Sequence, residues 1–265
     1  MTSVLSRSAT TPSVVHRAFD ILGAFAGSAG TDHELTLSDV ARRTGMPKTT
    51  VHRLLATLVD IGALDVEAGR FRISLSMLPI VTASPEAAVR STAMPYLLAL
   101  HRAVGHTIHL CVLRGSDVVY LEKLHGPESR LFPTDVGMSL PAHCTAVGKS
   151  LLAFSDKDAD SIPMVRRMTG LTERSVVDPI AIRASLAQIR QRGIATDVDE
   201  SVLGRSCVAR PIMVAGMPVA AVSVGYPTTS EPRTHLVPPL VKIVDSIGRA
   251  LSTHPSQAPR RWTSA

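Results

Sequence analysis

The sequence has no apolar run approaching the roughly 20 residues that cross a bilayer, and its first residues lack the basic-then-apolar order of a secretion signal. These absences argue against membrane insertion and export, and a cytoplasmic location is expected. Cysteine is scarce: Cys111, Cys144 and Cys207 are the only three, and none lies in a CxxC pair. That argues against a disulfide framework and a structural zinc site, and leaves small buried hydrophobes as the ordinary role. Aromatic residues are few, five Phe, three Tyr and one Trp, so a cavity in this chain has little with which to stack on a flat ligand. Basic charge is not lacking, but it is misplaced. The net charge is +6, yet residues 1–80 hold eight Lys or Arg against seven Asp or Glu. Overall basicity therefore says little about nucleic acid.

What is present is concentrated in residues 35–62, LTLSDVARRTGMPKTTVHRLLATLVDIG. Thr36 has the chemistry of a helix N-cap, and Asp39, three residues on, can reach back to it. Leu37, Val40 and Ala41 form one apolar stripe. Gly45 suits the left-handed residue that ends a helix, and Pro47 suits the start of another. Two short helices joined by about three residues have helix-turn-helix spacing. On the second helix Val51, Leu54, Leu55 and Leu58 share a face at about 100° per residue and are expected to bury. Thr49, Arg53 and Ala56 lie opposite, flanked by Lys48, Thr50, His52 and Thr57. This outward face carries donors and no acid, as a helix entering the major groove requires, with Arg53 suited to a bidentate contact with guanine. An ordinary amphipathic pair with a solvated polar face is the alternative. Residues 63–73, ALDVEAGRFRI, then alternate about a turn at Glu67, Ala68 and Gly69, which predicts a hairpin. A hairpin placed there is a wing, with Arg70 and Arg72 as contacts to phosphate or the minor groove.

The length of 265 residues suggests two domains. Apolar residues at helical spacing from Val14 to Phe25 predict a helix supporting the helix-turn-helix, with a break over 27–32 and a disordered arm over 1–12. Residues 76–104 read as helical, interrupted by Pro79, Pro85 and Pro95, the last starting or kinking a second helix. From Thr107 the period changes to that of strands: TIHLCVL and VVYLEKL flank a hairpin turn, with a third strand expected over 130–134. Helices over 143–154 and 182–192, strands over 194–198, 206–214 and 219–225, and a final helix over 233–252 follow. Hairpins with helices outside describe an α+β domain built on an antiparallel sheet.

Three stretches in this order carry a family resemblance: TGMPKTTVHRLLATL in the helix-turn-helix, LPAHCTAVGKSLLA at 140–153, and DVDESVLGRSCVARPI at 197–212, followed by VAAVSVGYP. The chain resembles an IclR-type transcriptional regulator over about residues 13–251. The resemblance implies a winged helix-turn-helix DNA-binding domain (residues 1–75), a helical linker used in dimerisation (76–104) and a GAF-like or profilin-like effector-binding domain (105–253), before a disordered tail (254–265). It further implies a homodimer or homotetramer on a double-stranded operator, a small-molecule effector, repression as the commoner mode, no enzymatic activity, no cofactor and no membrane partner.

Carried over by motif, the effector positions fall on Ala146, Val147, Asp197, Cys207, Ser223 and Gly225. The small residues around Ala146 leave room for a ligand to meet free N–H groups at a helix start, although tight packing on the sheet explains them equally. Alternation sets Cys207 beside Ala209 and Ser223 beside Gly225. Asp197 can orient polar ligand atoms or belong to a solvated acidic turn. Arg205 shares the Cys207 face if its strand extends that far, and is the candidate counter-ion for an acidic effector. Arg210 faces away, where a subunit contact is expected. The few aromatics point to a small aliphatic acid. Two rivals stand beside this reading: an enzyme using Cys207 with His143, and a metal- or redox-responsive regulator using His109, Cys111, His143, Cys144 and Cys207. The first lacks an activating motif and the second lacks a spacing that fixes geometry.

Overall fold

The computed structural model describes residues 13–26, 34–155, 168–228 and 233–253, in two compact units, Met1–Ser84 and Pro85–Ala265. The arms expected over 1–12 and 254–265 and the break over 27–32 lie outside the described residues.

In the first unit, α1 (Val14–Ala24) is followed by β1 (Leu35–Thr36), α2 (Leu37–Thr44), α3 (Lys48–Asp60), β2 (Leu64–Glu67), β3 (Arg70–Ile73) and the short α4 (Leu78–Thr82). The start of α2 is a full capping box: the Thr36 hydroxyl accepts from the Asp39 N–H at 3.2 Å, and the Asp39 carboxylate accepts from the Thr36 N–H at 3.1 Å. The hydrogen bond from the Thr36 hydroxyl, then that from its N–H, hold the Asp39 carboxyl at about 2. Gly45, at φ 70°, ends α2 in the left-handed region that glycine enters without a Cβ clash. Val51, Leu54, Leu55 and Leu58 bury against Ile21 and Val40, the face expected from their spacing. The wing has a strand more than expected, because β1 pairs with β3 to give the order β1-β3-β2. Two residues are too few to show a period of two.

In the second unit, α5 (Pro85–Val104) leads into β4 (Thr107–Arg114), β5 (Asp117–Leu124), β6 (Ser139–Pro141), α6 (Ala146–Phe154), α7 (Pro179–Arg192), β7 (Ala195–Val198), β8 (Arg205–Val214), β9 (Met217–Pro227) and α8 (Val237–Ser252). The strands form one antiparallel sheet in the order β6-β5-β4-β9-β8-β7. Because side chains alternate, Ile108, Leu110, Val208, Ile212, Val222 and Val224 bury on one face with α5 and α8. Cys111, Ala209 and Ala221 bury on the other with α6 and α7. Each fully buried Leu or Val contributes about 1.5–3 kcal/mol.

Three expectations are corrected. The stretch 85–104 is not a free connector: Val89, Ala93, Leu97 and Leu100 are fully buried in the core of the second unit, while residues 76–84 group with the first. Pro95 lies inside α5 and does not start a second helix; its ring and Ser91, whose carbonyl it cannot pair, are on the exposed side. Residues 130–134 are not a strand; a 3-10 turn over Ser129–Leu131 leads into an irregular segment, and the strand that edges the sheet beside β5 is β6. Among the described residues no helix is long and apolar enough to cross a membrane.

Candidate functional site

The first candidate surface is α3. Lys48, Thr49, His52 and Arg53 are exposed and Thr50 is partly so, and α3 carries no acid in its first turn. Among the described residues neither Lys48 nor Arg53 makes an ion pair, whereas Arg42 is held by Asp39 at 2.6 Å and the Arg43 guanidinium donates to the Ala24 carbonyl at 2.8 Å. Of the local basic run, Lys48 and Arg53 thus carry charge that no carboxylate among the described residues neutralises. The wing arginines divide. Arg70 is exposed. Arg72 lies within 3.5–3.9 Å of the carboxylates of Asp65, Glu34 and Glu67, so its charge is shared between the wing strands and the residue preceding β1.

The second candidate is a cavity of about 240 Å³ on the α6 face of the sheet. Six of the seven expected effector residues line it together: Ala146, Val147, Asp197, Arg205, Cys207 and Ser223. The register explains this. Asp197 pairs with Cys207 across β7 and β8, and Ser223 sits opposite His109 across β9 and β4. Strand β8 does begin at Arg205, which brings that residue onto the Cys207 face. Gly225 does not line the cavity. A Cβ there would meet the Phe132 ring at 2.6 Å, so Gly225 is the bare floor on which Phe132 lies. At the start of α6 both readings of the small residues hold: a Cβ on Gly148 would collide with the Ala142 backbone, while Ala146 and Val147 face the cavity. Arg210 pairs with Asp245 of α8 at 2.9 Å and donates to the Gly193 carbonyl within its own chain.

The sequence reading missed the opposite wall, formed by Tyr120, Phe132, Thr134 and Met138, and it had placed His109 only in a metal site. Alternation about Cys111 was the available signal for His109; nothing local marked the irregular 132–134 segment. That segment is fastened by Lys123, whose ammonium donates to the carbonyls of Phe132 and Thr134 at 2.6 and 2.7 Å. With Tyr120 and Phe132 in the wall, composition no longer argues against a ligand with an aromatic body.

The electrostatics of the cavity are uneven. Arg205 is 3% exposed, its Nε–H has no acceptor among the described residues, and its guanidinium carbon stands 4.8 Å over the Phe132 ring. Burial lowers its pKa, opposed by Cys207, Asp197 and Tyr120. Burial raises that of Asp197 against the hydrogen bonds of Ser201 and Glu200. The two acids that follow Asp197 have separate work. Asp199 accepts from the N–H groups of Gly204 and Arg205, and Glu200 pairs with Lys149 of α6. The Cys207 thiol is pushed up by burial and then by Asp197, and burial raises Cys111 and Cys144 too. Activated thiols require the reverse. Among the described residues no three of His, Cys, Asp and Glu are placed to hold a metal ion.

A helix-turn-helix with an exposed donor-bearing helix in one unit and a mainly apolar cavity carrying buried Arg205 and Asp197 in the other agree with two family models. Residues 14–67 match the IclR helix-turn-helix domain, and residues 82–253 match the bacterial transcriptional regulator IclR C-terminal domain. The chain belongs to the IclR family. It is a DNA-binding transcriptional regulator of the IclR type. It is 33% identical to the HTH-type transcriptional regulator XynR of Escherichia coli K12, over 75% of this chain and 79% of that protein. To the HTH-type transcriptional regulator BhcR of Paracoccus denitrificans it is 34% identical, over 80% of this chain and 76% of the relative. Among solved structures, an IclR homolog from Microbacterium hydrocarbonoxydans complexed with 4-hydroxybenzoate has a TM-score of 0.78 at 24% identity, covering 91% of this chain and 100% of that one, a likeness of fold.

Proposed function

We propose that this IclR-family regulator is a cytoplasmic repressor that binds a roughly palindromic operator as a homodimer or tetramer and is controlled by a small organic acid in the cavity. The observation that carries the effector half is Arg205, a buried cation with no carboxylate partner among the described residues, which favours an anion because an unpaired buried charge is costly. The DNA half rests on Lys48, Thr49, Thr50, His52 and Arg53 on α3, with Arg70 on the wing. Leu75, Leu78, Ile80 and Val81 are exposed at the end of the first unit and supply apolar surface of the kind that marks protein contacts. Repression is adopted as the commoner mode that the family resemblance implies. Control requires that the acid bind the DNA-free and DNA-bound states with different affinity.

The test is selection of genomic fragments by the purified protein at physiological salt, followed by titration of small acids onto the complex. One or a few palindromic sites are expected, with release by at least one acid. Failure to enrich any site would sink the DNA half, and operator affinity untouched by every acid would sink the control.

A further inference from the structure

Resting on the reading of the cavity as an effector site, we infer that the effector is a hydroxy acid held at two poles, its carboxylate on Arg205 and its hydroxyl hydrogen on Asp197. The two residues are diagonal neighbours: Asp197 pairs with Cys207, and Arg205 lies two positions before Cys207 on the same face of β8. Diagonal partners are about 7–8 Å apart at Cα, within reach of an Arg side chain, yet no Arg205–Asp197 ion pair forms among the described residues. Each charge is held back by something else. Arg205 lies over the Phe132 ring, and that ring is fixed beneath by Gly225 and through its own carbonyl by Lys123. Asp197 is turned into the loop that follows β7. Its Oδ1 accepts from the N–H groups of Glu200 and Ser201 at 2.8 and 3.3 Å, and its Oδ2 accepts from the Ser201 hydroxyl at 2.6 Å. That loop is braced in turn by hydroxyls of Thr172 and Ser175 on the carbonyls of Asp199 and Glu200.

The result is a cavity that holds, among the described residues, an unused donor on Arg205 and an unused acceptor site on Asp197. Arg205 Nε–H is unpartnered among the described residues, at 3% exposure. A carboxylate offers about four acceptor sites, and three of those on Asp197, itself 1% exposed, are taken. One open acceptor site matches the single hydrogen of a hydroxyl. An ammonium brings three hydrogens, of which Asp197 can take one. Much of the remaining wall is apolar, with Met138, Leu140, Val147 and Val202. The volume of about 240 Å³ is below the ~300–1,000 Å³ of sites for drug-sized ligands, so the effector is compact.

The test measures binding to the purified full chain without DNA, by calorimetry, using matched probes on two scaffolds. The first set is 4-hydroxybenzoate, benzoate and 4-hydroxybenzamide; the second is mandelate, phenylacetate, mandelamide and phenylglycine. At least one hydroxy acid is expected to bind about tenfold or more tightly than both its deoxy parent and its amide. In Arg205→Gln the preference for acid over amide is expected to vanish while that for hydroxyl persists, and Arg205→Lys should restore the former. In Asp197→Asn the two backbone N–H donors hold the amide oxygen at the Oδ1 position, so its NH₂ replaces the open acceptor with a donor. The hydroxyl preference should then vanish while the acid preference persists. The inference is overturned if no hydroxy acid in the panel binds, if phenylglycine binds more tightly than mandelate, or if both substitutions weaken every probe by one common factor. Operator release is read separately. Release by acids that show neither preference overturns the inference and leaves the regulatory reading standing. The expected preferences without any release uphold it while the regulatory reading fails.

Discussion

A Cβ on Gly225 would stand 2.6 Å from Cε1 and Cζ of Phe132, so the ring that forms one wall of the cavity rests on bare strand. The same ring lies 4.8 Å from the Arg205 guanidinium and 5.7 Å from His109. Gly225→Ala is therefore expected to destabilise the chain by about 1–3 kcal/mol, as overpacking does, and to loosen Arg205. The urea midpoint reads the cost. Adding Phe132→Leu should recover part of it, because the smaller side chain clears the new methyl. A wild-type midpoint in Gly225→Ala would mean that the ring moves aside freely.

Lys149 and Glu200 form a buried ion pair at 2.5 Å that joins α6 to the loop after β7. Burial raises the Glu200 carboxyl against the lowering effect of Lys149, so the pair stands only while both members do. Removing one partner is expected to cost roughly 3–5 kcal/mol, whereas the double replacement Lys149→Met with Glu200→Leu should recover most of that. Chemical denaturation of the two single variants and the double variant decides it. Losses in the singles that simply add in the double would refute the coupling.

Much of the first unit was legible because its signals are local. Thr36, Asp39, Gly45 and the 100° spacing of Val51, Leu54, Leu55 and Leu58 each act within a few residues. In the second unit, strand alternation reached Cys207, Ser223 and, given the start of β8, Arg205. The Phe132 wall escaped because residues 132–134 take their shape from Lys123, nine and eleven residues away, and from Gly225 two strands across the sheet. The surroundings of Arg72 were hidden for a related reason. A basic wing residue reads as a phosphate contact until Glu34, Asp65 and Glu67 are seen around it, and only the strand pairing brings Glu34 there.

Arg53 projects from α3 without an ion pair among the described residues. Arg53→Ala is expected to lose about 1–3 kcal/mol of operator affinity with relaxed base preference. Arg70→Ala should weaken binding evenly across sequences and reduce the salt slope by about one. Arg72→Ala should instead lower stability slightly, within the ~0–1 kcal/mol of exposed ion pairs, and leave the salt slope unchanged. Competition binding on operator and random DNA at several salt concentrations separates the three. An Arg72→Ala salt slope reduced like that of Arg70→Ala would return Arg72 to the DNA surface.

His109 links the cavity to pH. Its ring is 2% exposed, shares a hydrogen bond of 3.0 Å with Thr134 and meets Tyr120 edge-on at 5.2 Å. Burial, then the charges of Lys123, Arg205 and His125, hold its pKa down to about 3, against an ordinary 6.5. In the folded chain it stays neutral; in the unfolded chain it takes up a proton below about pH 6.5. Between those values the unfolded state binds more protons, so stability falls as pH falls, by about 2 kcal/mol from pH 7.5 to 5 for this residue. His143, also lowered by burial, acts in the same sense. Asp39 adds its loss only between 3.8 and about 2, and Asp197 and Glu200, raised by burial, oppose the trend. The difference between wild type and His109→Gln isolates the one ring: the variant is expected to lose less stability than the wild type over that window, by about the same 2 kcal/mol. If the two curves run parallel, the ring titrates in the folded chain much as in the unfolded one, and the cavity is wetter than its burial implies.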